Sequence, residues 1–94
     1  MGNSENSITK EEFKSSDYDF VIDVRSKSEY DQGHYMKCLF IPHSDIKKIE
    51  SFTNINKTSK ILLYCRSGNR AGQAYNTLKE LGYVNVKYVS GSFV

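Results

Sequence analysis

Apolar residues along this 94-residue chain fall into short runs between polar stretches, and the spacing inside each run predicts its element. "DFVIDV" (19–24) reads as a buried strand, bounded by "SSDYD" and "RSKS". "CLFI" (38–41) is a second short strand closed by Pro42, and "KILLY" (60–64) is the continuous apolar run of a central parallel strand. "VNVKYV" (84–89) alternates and forms the last strand. Helical signals lie between the strands. Thr9 with Glu12 has capping-box spacing and predicts a short helix through about Lys14. Ser26 and Glu29 repeat the spacing and predict a helical turn, "SEYDQ", ended by Gly33. Ser44 is read as the cap of a third helix with Ile46, Ile49 and Phe52 facing inward. Ala71, Ala74, Tyr75, Leu78 and Leu81 mark a fourth, stopped by Gly82. Strands alternating with short helices predict an α/β domain, a small mostly parallel sheet flanked by helices. Residues 1–7 are polar and read as a flexible N-terminus, leaving 8–94 as one domain.

Composition narrows the function classes. A chain of this length buries only ~60–65% of its unfolded surface, so one modest core is expected. Seven Tyr and five Phe supply large apolar surface, and a charged share of 26% argues against disorder throughout. A net charge of +2 with no basic run gives no footprint for nucleic acid. No stretch nears the ~20 apolar residues of a membrane span. "MGNSENS" lacks an apolar signal-peptide core, and Asn6 stands where N-myristoylation wants Ser or Thr. The expected compartment is the cytoplasm, although an exported chain stripped of its leader reads the same way. Cys38 and Cys65 are too few for a disulfide scaffold.

The chemistry concentrates in "YCRSGNRAGQ" (64–73), directly after the "KILLY" run. Cys65 follows a predicted buried strand and precedes a helix, the carboxyl-end position where open α/β sheets bind ligands. The helix start supplies N–H groups and partial positive charge, Arg66 and Arg70 add full charges, and all three favour a thiolate. Gly68 permits a tight turn that aims several N–H groups at one anion. Two chemistries need such a loop: attack on phosphorus, with Arg holding the oxygens, and attack on a sulfane sulfur, carried as a persulfide. Cysteine phosphatases have one residue more between Cys and Arg, whereas here four residues, Arg66 to Asn69, separate Cys65 from Arg70. The tighter ring suits one added sulfur better than a phosphoryl group.

These segments together resemble the rhodanese family, specifically its single-domain members, over about residues 8–93. "VIDVRSKSEYDQGH" is similar to the family's first signature, with Asp23, Val24 and Arg25, then Glu29, Tyr30, Gly33 and His34. "FIPHSDI", "LLYCRSGNRA" and "LKELGYVNVKYVSGSF" resemble the segments that follow in the family's order. The resemblance implies a sulfurtransferase in which Cys65 carries the sulfur and the main-chain amides of Arg66, Ser67, Gly68, Asn69 and Arg70 cradle the persulfide. It implies thiosulfate or a persulfide as donor, and cyanide, a small thiol or a protein thiol as acceptor. No metal or organic cofactor is called for. Arg66 beside the nucleophile resembles thiosulfate-using members more than mercaptopyruvate-using ones and is expected to attract the dianionic donor, while Arg70 is expected to hold the loop by pairing with a carboxylate. The chain departs from the family pattern at Met36, Lys37 and Cys38, which stand where Pro-Gly-Ala is usual, at Phe40 in place of Asn, and at Gly91-Ser92 in place of a double glycine.

Asp23 and Arg25 are expected to brace the loop as an ion pair, because a thiolate nucleophile needs no separate base. His34, Cys38 and His43 lack a fourth ligand for zinc, so His34 is read as a turn residue and Cys38 as a packed core thiol, with a resolving partnership to Cys65 as the sharper alternative. A sulfur carrier fed by a protein partner and a cysteine phosphatase or arsenate reductase are the competing functional readings.

Overall fold

A computed structural model describes residues 6–93. Five strands form one parallel sheet: β1 (Ser7–Ile8), β2 (Phe20–Asp23), β3 (Leu39–Phe40), β4 (Ile61–Tyr64) and β5 (Val86–Val89), in the spatial order β1-β5-β4-β2-β3. The expected mostly parallel sheet is parallel in every pair. β4 sits at its centre, and all four of its side chains are fully buried. Each such aliphatic side chain stabilises the fold by ~1.5–3 kcal/mol. The alternation of strand side chains divides them: Ile61 and Leu63 enter the larger core under the helices, Leu62 and Tyr64 a smaller core on the other face. Both edge strands are only two residues long, which limits the unpaired backbone offered to other chains.

Three α-helices connect the strands. α1 (Lys27–Gln32) starts with the Ser26–Glu29 capping box. α2 (Ile49–Phe52) continues a 3₁₀ segment, His43–Lys48. α3 (Asn69–Glu80) buries Ala71, Ala74, Tyr75 and Leu78 against the larger core.

Four expectations need correction. The N-terminal helix is instead two 3₁₀ turns, Lys10–Glu12 and Ser15–Asp17, because Phe13 between them is extended and packs its ring edge-on to Tyr35 and Phe93. The third helix begins directly after Pro42, whose carbonyl accepts from Asp45 N–H at 2.8 Å, so Ser44 lies inside it and caps nothing. Ile46 and Ile49 are buried at the three-residue repeat of that 3₁₀ segment. The α-turn that follows rotates Phe52 off their line, leaving it 46% exposed. Leu81 is also exposed, because α3 ends one residue before it. Gly82, at φ +99°, reverses the chain there, with Tyr83 N–H bonded to the Leu78 carbonyl and Gly82 N–H to that of Lys79. Tyr83 then fills the core position that helical spacing had assigned to Leu81.

Residues 1–5 of the segment read as a flexible N-terminus lie outside the described residues, and Ser7 pairs with Tyr88 at the sheet edge. Met36 and Lys37 form a turn despite the missing Pro and Gly. Cys38 N–H bonds to the Tyr35 carbonyl, and Met36 points into solvent. Among the described residues, no helix is long and apolar enough to cross a membrane.

Candidate active site

Cys65 leaves the carboxyl end of β4 with its side chain fully buried, and the next three residues carry the chain into α3. Its Sγ accepts hydrogen bonds from Gly68 N–H at 3.0 Å and Ala71 N–H at 3.3 Å. Both amides belong to the helix start, where the first N–H groups have no partner within the helix. The sulfur therefore occupies an anion position at the positive end of the α3 dipole. Gly68 is left-handed at φ +91° and lies against the backbone of Ser90, which walls the loop from the β5 side.

The two loop arginines differ. Arg70 is partly buried and binds Glu29 through both terminal nitrogens, Nη1–Oε1 at 2.8 Å and Nη2–Oε2 at 3.1 Å. This fork ties α1 to the start of α3 and fixes the loop from outside. Arg70 is held protonated by Glu29 first and, to a smaller degree, by the nearby Cys65 sulfur. Arg66 is exposed, has no hydrogen bond or ion pair among the described residues, and lines an open cleft of about 600 Å³ with Arg25, Glu29, His34 and Ser92. Ser67 and Asn69 are exposed on the loop, Asn69 as the first residue of α3.

Asp23 and Arg25 form a buried pair at the end of β2, beside Tyr64 in the sheet register. Asp23 Oδ1 accepts from the Arg25 main-chain N–H at 2.9 Å, and Oδ2 accepts from Arg25 Nη2 at 2.8 Å and from the Tyr64 hydroxyl at 2.9 Å. Arg25 also donates to the Gly33 carbonyl at the end of α1. The hydrogen bonds to Asp23 hold Arg25 firmly protonated against the cost of burial. Burial pushes the Tyr64 hydroxyl up, so it stays a donor to Asp23. The pair thus braces the strand that carries Cys65, with Tyr64 as the link. Tyr64 has no such role in the sequence reading, because an aromatic ending an apolar run reads as plain core.

Cys38 lies 3.6 Å from the Tyr64 hydroxyl and packs in the smaller core, on the opposite face of the sheet from Cys65. That placement rules out the resolving partnership in this fold. Burial pushes the Cys38 thiol up, away from the nucleophilic form. His34 stacks on Tyr30 with ring centres 3.7 Å apart, and its Nδ1 bonds to the Tyr30 carbonyl at 2.9 Å, which makes it the turn residue expected.

Besides Tyr64, two further contributors are not legible in the sequence. Ala71 acts through its main-chain N–H, which no side-chain pattern reveals. Glu29 reads in the sequence as a helix cap and as part of a signature; the carboxylate expected to pair with Arg70 is this one, 41 residues away, and no local pattern marks it as the partner. Arg70 first, then the Ser26 main-chain N–H, holds the Glu29 carboxyl at about 2, below its ordinary 4.5. A carboxyl lowered by folding stabilises the fold fully above its ordinary value and loses that contribution as pH falls. The melting temperature should therefore drop between pH 4.5 and about 2. In Glu29→Gln the drop over that window should be shallower, and equal slopes in thermal melts would remove Glu29 as its source.

The family model described as Rhodanese-like domain matches residues 6–94. Among curated proteins, the chain is 33% identical over 70 residues to thiosulfate sulfurtransferase PspE of Escherichia coli (strain K12), covering 74% of this chain and 67% of that one. Among solved structures, protein hp1203 from Helicobacter pylori 26695 superposes with a TM-score of 0.81 at 34% identity, over 96% of this chain and 80% of that one. A structure described as rhodanese with anions from E. coli gives a TM-score of 0.69 at 32% identity, over 77% of this chain and 84% of that one.

Proposed function

The chain belongs to the rhodanese-like domain family, and on that premise we propose that it is a sulfurtransferase working through a persulfide on Cys65. The observation that carries this reading is a buried Sγ held by two helix-start amides at the carboxyl end of the central strand. Such a site is built to hold the anionic outer sulfur of a persulfide, because hydrogen bonds to a charged form favour that form.

The donor is thiosulfate or another sulfane-sulfur compound, as the name of the E. coli relative supports. The Cys65 thiolate attacks the outer sulfur of thiosulfate. A new S–S bond forms to Cys65, the old S–S bond breaks, and its electron pair leaves on sulfite. A thiophilic acceptor then attacks the outer sulfur of the persulfide. Cyanide leaves as thiocyanate, a thiolate leaves as its own persulfide, and in both cases Cys65 returns as thiolate. No net oxidant is consumed, and the two displacements follow the logic of thiol–disulfide exchange. Arg66, exposed on the cleft rim, supplies the unpaired positive charge that draws a dianionic donor.

The phosphatase reading needs the loop arginine to hold phosphoryl oxygens, and here both terminal nitrogens of Arg70 are bound to Glu29. A carrier fed only by a protein donor would share the loop chemistry but ignore thiosulfate. The deciding experiment is the intact mass of the reduced protein after incubation with thiosulfate and removal of the excess. A gain of one sulfur, reversed by cyanide with release of thiocyanate, is expected. Absence of the gain, with a protein persulfide succeeding in its place, would favour the carrier.

A further inference from the structure

Three arginines surround the Cys65 loop, and two are already neutralised. Arg25 is paired with buried Asp23, and Arg70 is gripped at both terminal nitrogens by Glu29. Arg66 alone lines the cleft without an ion pair among the described residues. Glu29 is also the one acidic side chain among the described residues lining that cleft, whereas Arg70 is not part of the lining. The capping role of Glu29 uses only one oxygen. Oε1 accepts from Ser26 N–H at 3.0 Å, from Ser26 Oγ at 2.9 Å and from Arg70 Nη1 at 2.8 Å, while Oε2 accepts from Arg70 Nη2 at 3.1 Å and takes no part in the cap. The grip on Arg70 is thus an addition to the cap and needs its own explanation.

Arg70 stands at the second position of α3, between the two residues whose amides hold Cys65 Sγ, and within electrostatic reach of that sulfur. A free guanidinium there would be a fork for a tetrahedral oxyanion. We propose that Glu29 is a specificity-determining positioning residue: by occupying Arg70 it withholds the fork from the cleft. Anions entering the cleft then meet Arg66 as the one lining arginine outside an ion pair among the described residues. A donor that needs just its reacting sulfur held is accepted, and phosphate-like or arsenate-like anions that need a bidentate clamp are disfavoured. This inference rests on the sulfur-transfer reading for its meaning, but its test does not use sulfur transfer.

The test is a titration of the ¹⁵N-labelled protein with inorganic phosphate at fixed pH and ionic strength, read from the amide shifts of residues 66–71. Glu29→Gln keeps an oxygen for the Ser26 cap but loses the charge that grips Arg70. Phosphate should bind this variant roughly fivefold more tightly, the size of one added charge near a partly exposed site. The gain should disappear in Glu29→Gln/Arg70→Gln. A merely structural Glu29 would loosen the loop and weaken phosphate binding. A folded Glu29→Gln protein with equal or weaker phosphate affinity therefore overturns the proposal.

If Glu29→Gln loses its dispersed amide spectrum, the double variant, which leaves neither partner unpaired, decides alone. Phosphate affinity close to wild type supports the proposal, and clear weakening overturns it by showing that Arg70 holds the anion despite Glu29. Failure of the sulfur-transfer reading would appear elsewhere, as no mass gain on the wild-type protein.

Discussion

Cys65→Ser should give a folded domain that takes no sulfur from any donor, with a transfer rate below ~10⁻³ of wild type. Serine offers the same atom count, and its Oγ can accept from the Gly68 and Ala71 amides that now hold Sγ. The melting temperature should therefore change little, since exchanging one hydrogen-bonded buried group for another costs on the order of 1 kcal/mol. The chemistry does not survive the exchange. A serine hydroxyl is a weak nucleophile toward sulfane sulfur, and its oxygen cannot take the place of sulfur in a persulfide. Intact mass and thiocyanate release on the same samples read both halves of the expectation. A sulfur gained by Cys65→Ser would move the carrier to Cys38, the one other cysteine, and would sink the assignment of the loop.

Gly68→Ala carries the largest expected loss of stability. A Cβ at this position would stand 2.4 Å from the Ser90 carbonyl oxygen and 2.6 Å from its carbon, and both are backbone atoms that no rotamer can move. The residue is also left-handed at φ +91°, which disfavours any side chain by ~1–2 kcal/mol before the clash. To relieve the contact, the end of β5 must shift and loosen the 2.9 Å bond from Ser90 N–H to the Ile8 carbonyl that anchors β1. The other escape moves Gly68 itself and withdraws its amide from Cys65 Sγ. Either route should cost ~3 kcal/mol or more in stability, or most of the transfer rate. Gly72→Ala is the internal control. Its Cβ would meet only the Tyr88 ring at 3.6 Å, inside a helix, so it should be neutral or stabilising. Equal thermal melts and transfer rates for the two variants would contradict this account of the loop.

The strand cores and α3 were legible because their signals are local. "ILLY" (61–64) is apolar throughout since β4 is covered on both faces, and Ala71, Ala74 and Leu78 keep one face of one helix. Errors gathered where tertiary demands set the geometry. Phe13 breaks a capped helix to reach an aromatic cluster, and Tyr83 displaces Leu81 once Gly82 turns the chain. At the site, Cys65 was visible as a charged, glycine-containing turn after a strand. The Glu29 grip on Arg70, the Ser90 wall and the Tyr64 link to Asp23 join residues far apart in sequence, and no periodicity encodes such pairs.

The pairing of β1 with β5 has a consequence for how the domain comes into being. The sheet closes only when the first described strand meets the last, Ser7–Ile8 against Tyr88–Val89. During synthesis, β4 and the thiol after it are made before Ser90, the residue that walls the loop. Every parallel pair likewise needs a crossover before it can form, so few contacts are available to a half-made chain. The site around the nucleophile is thus assembled only once β5 is in place, and a nascent chain stalled short of β5 would carry the cysteine without its site.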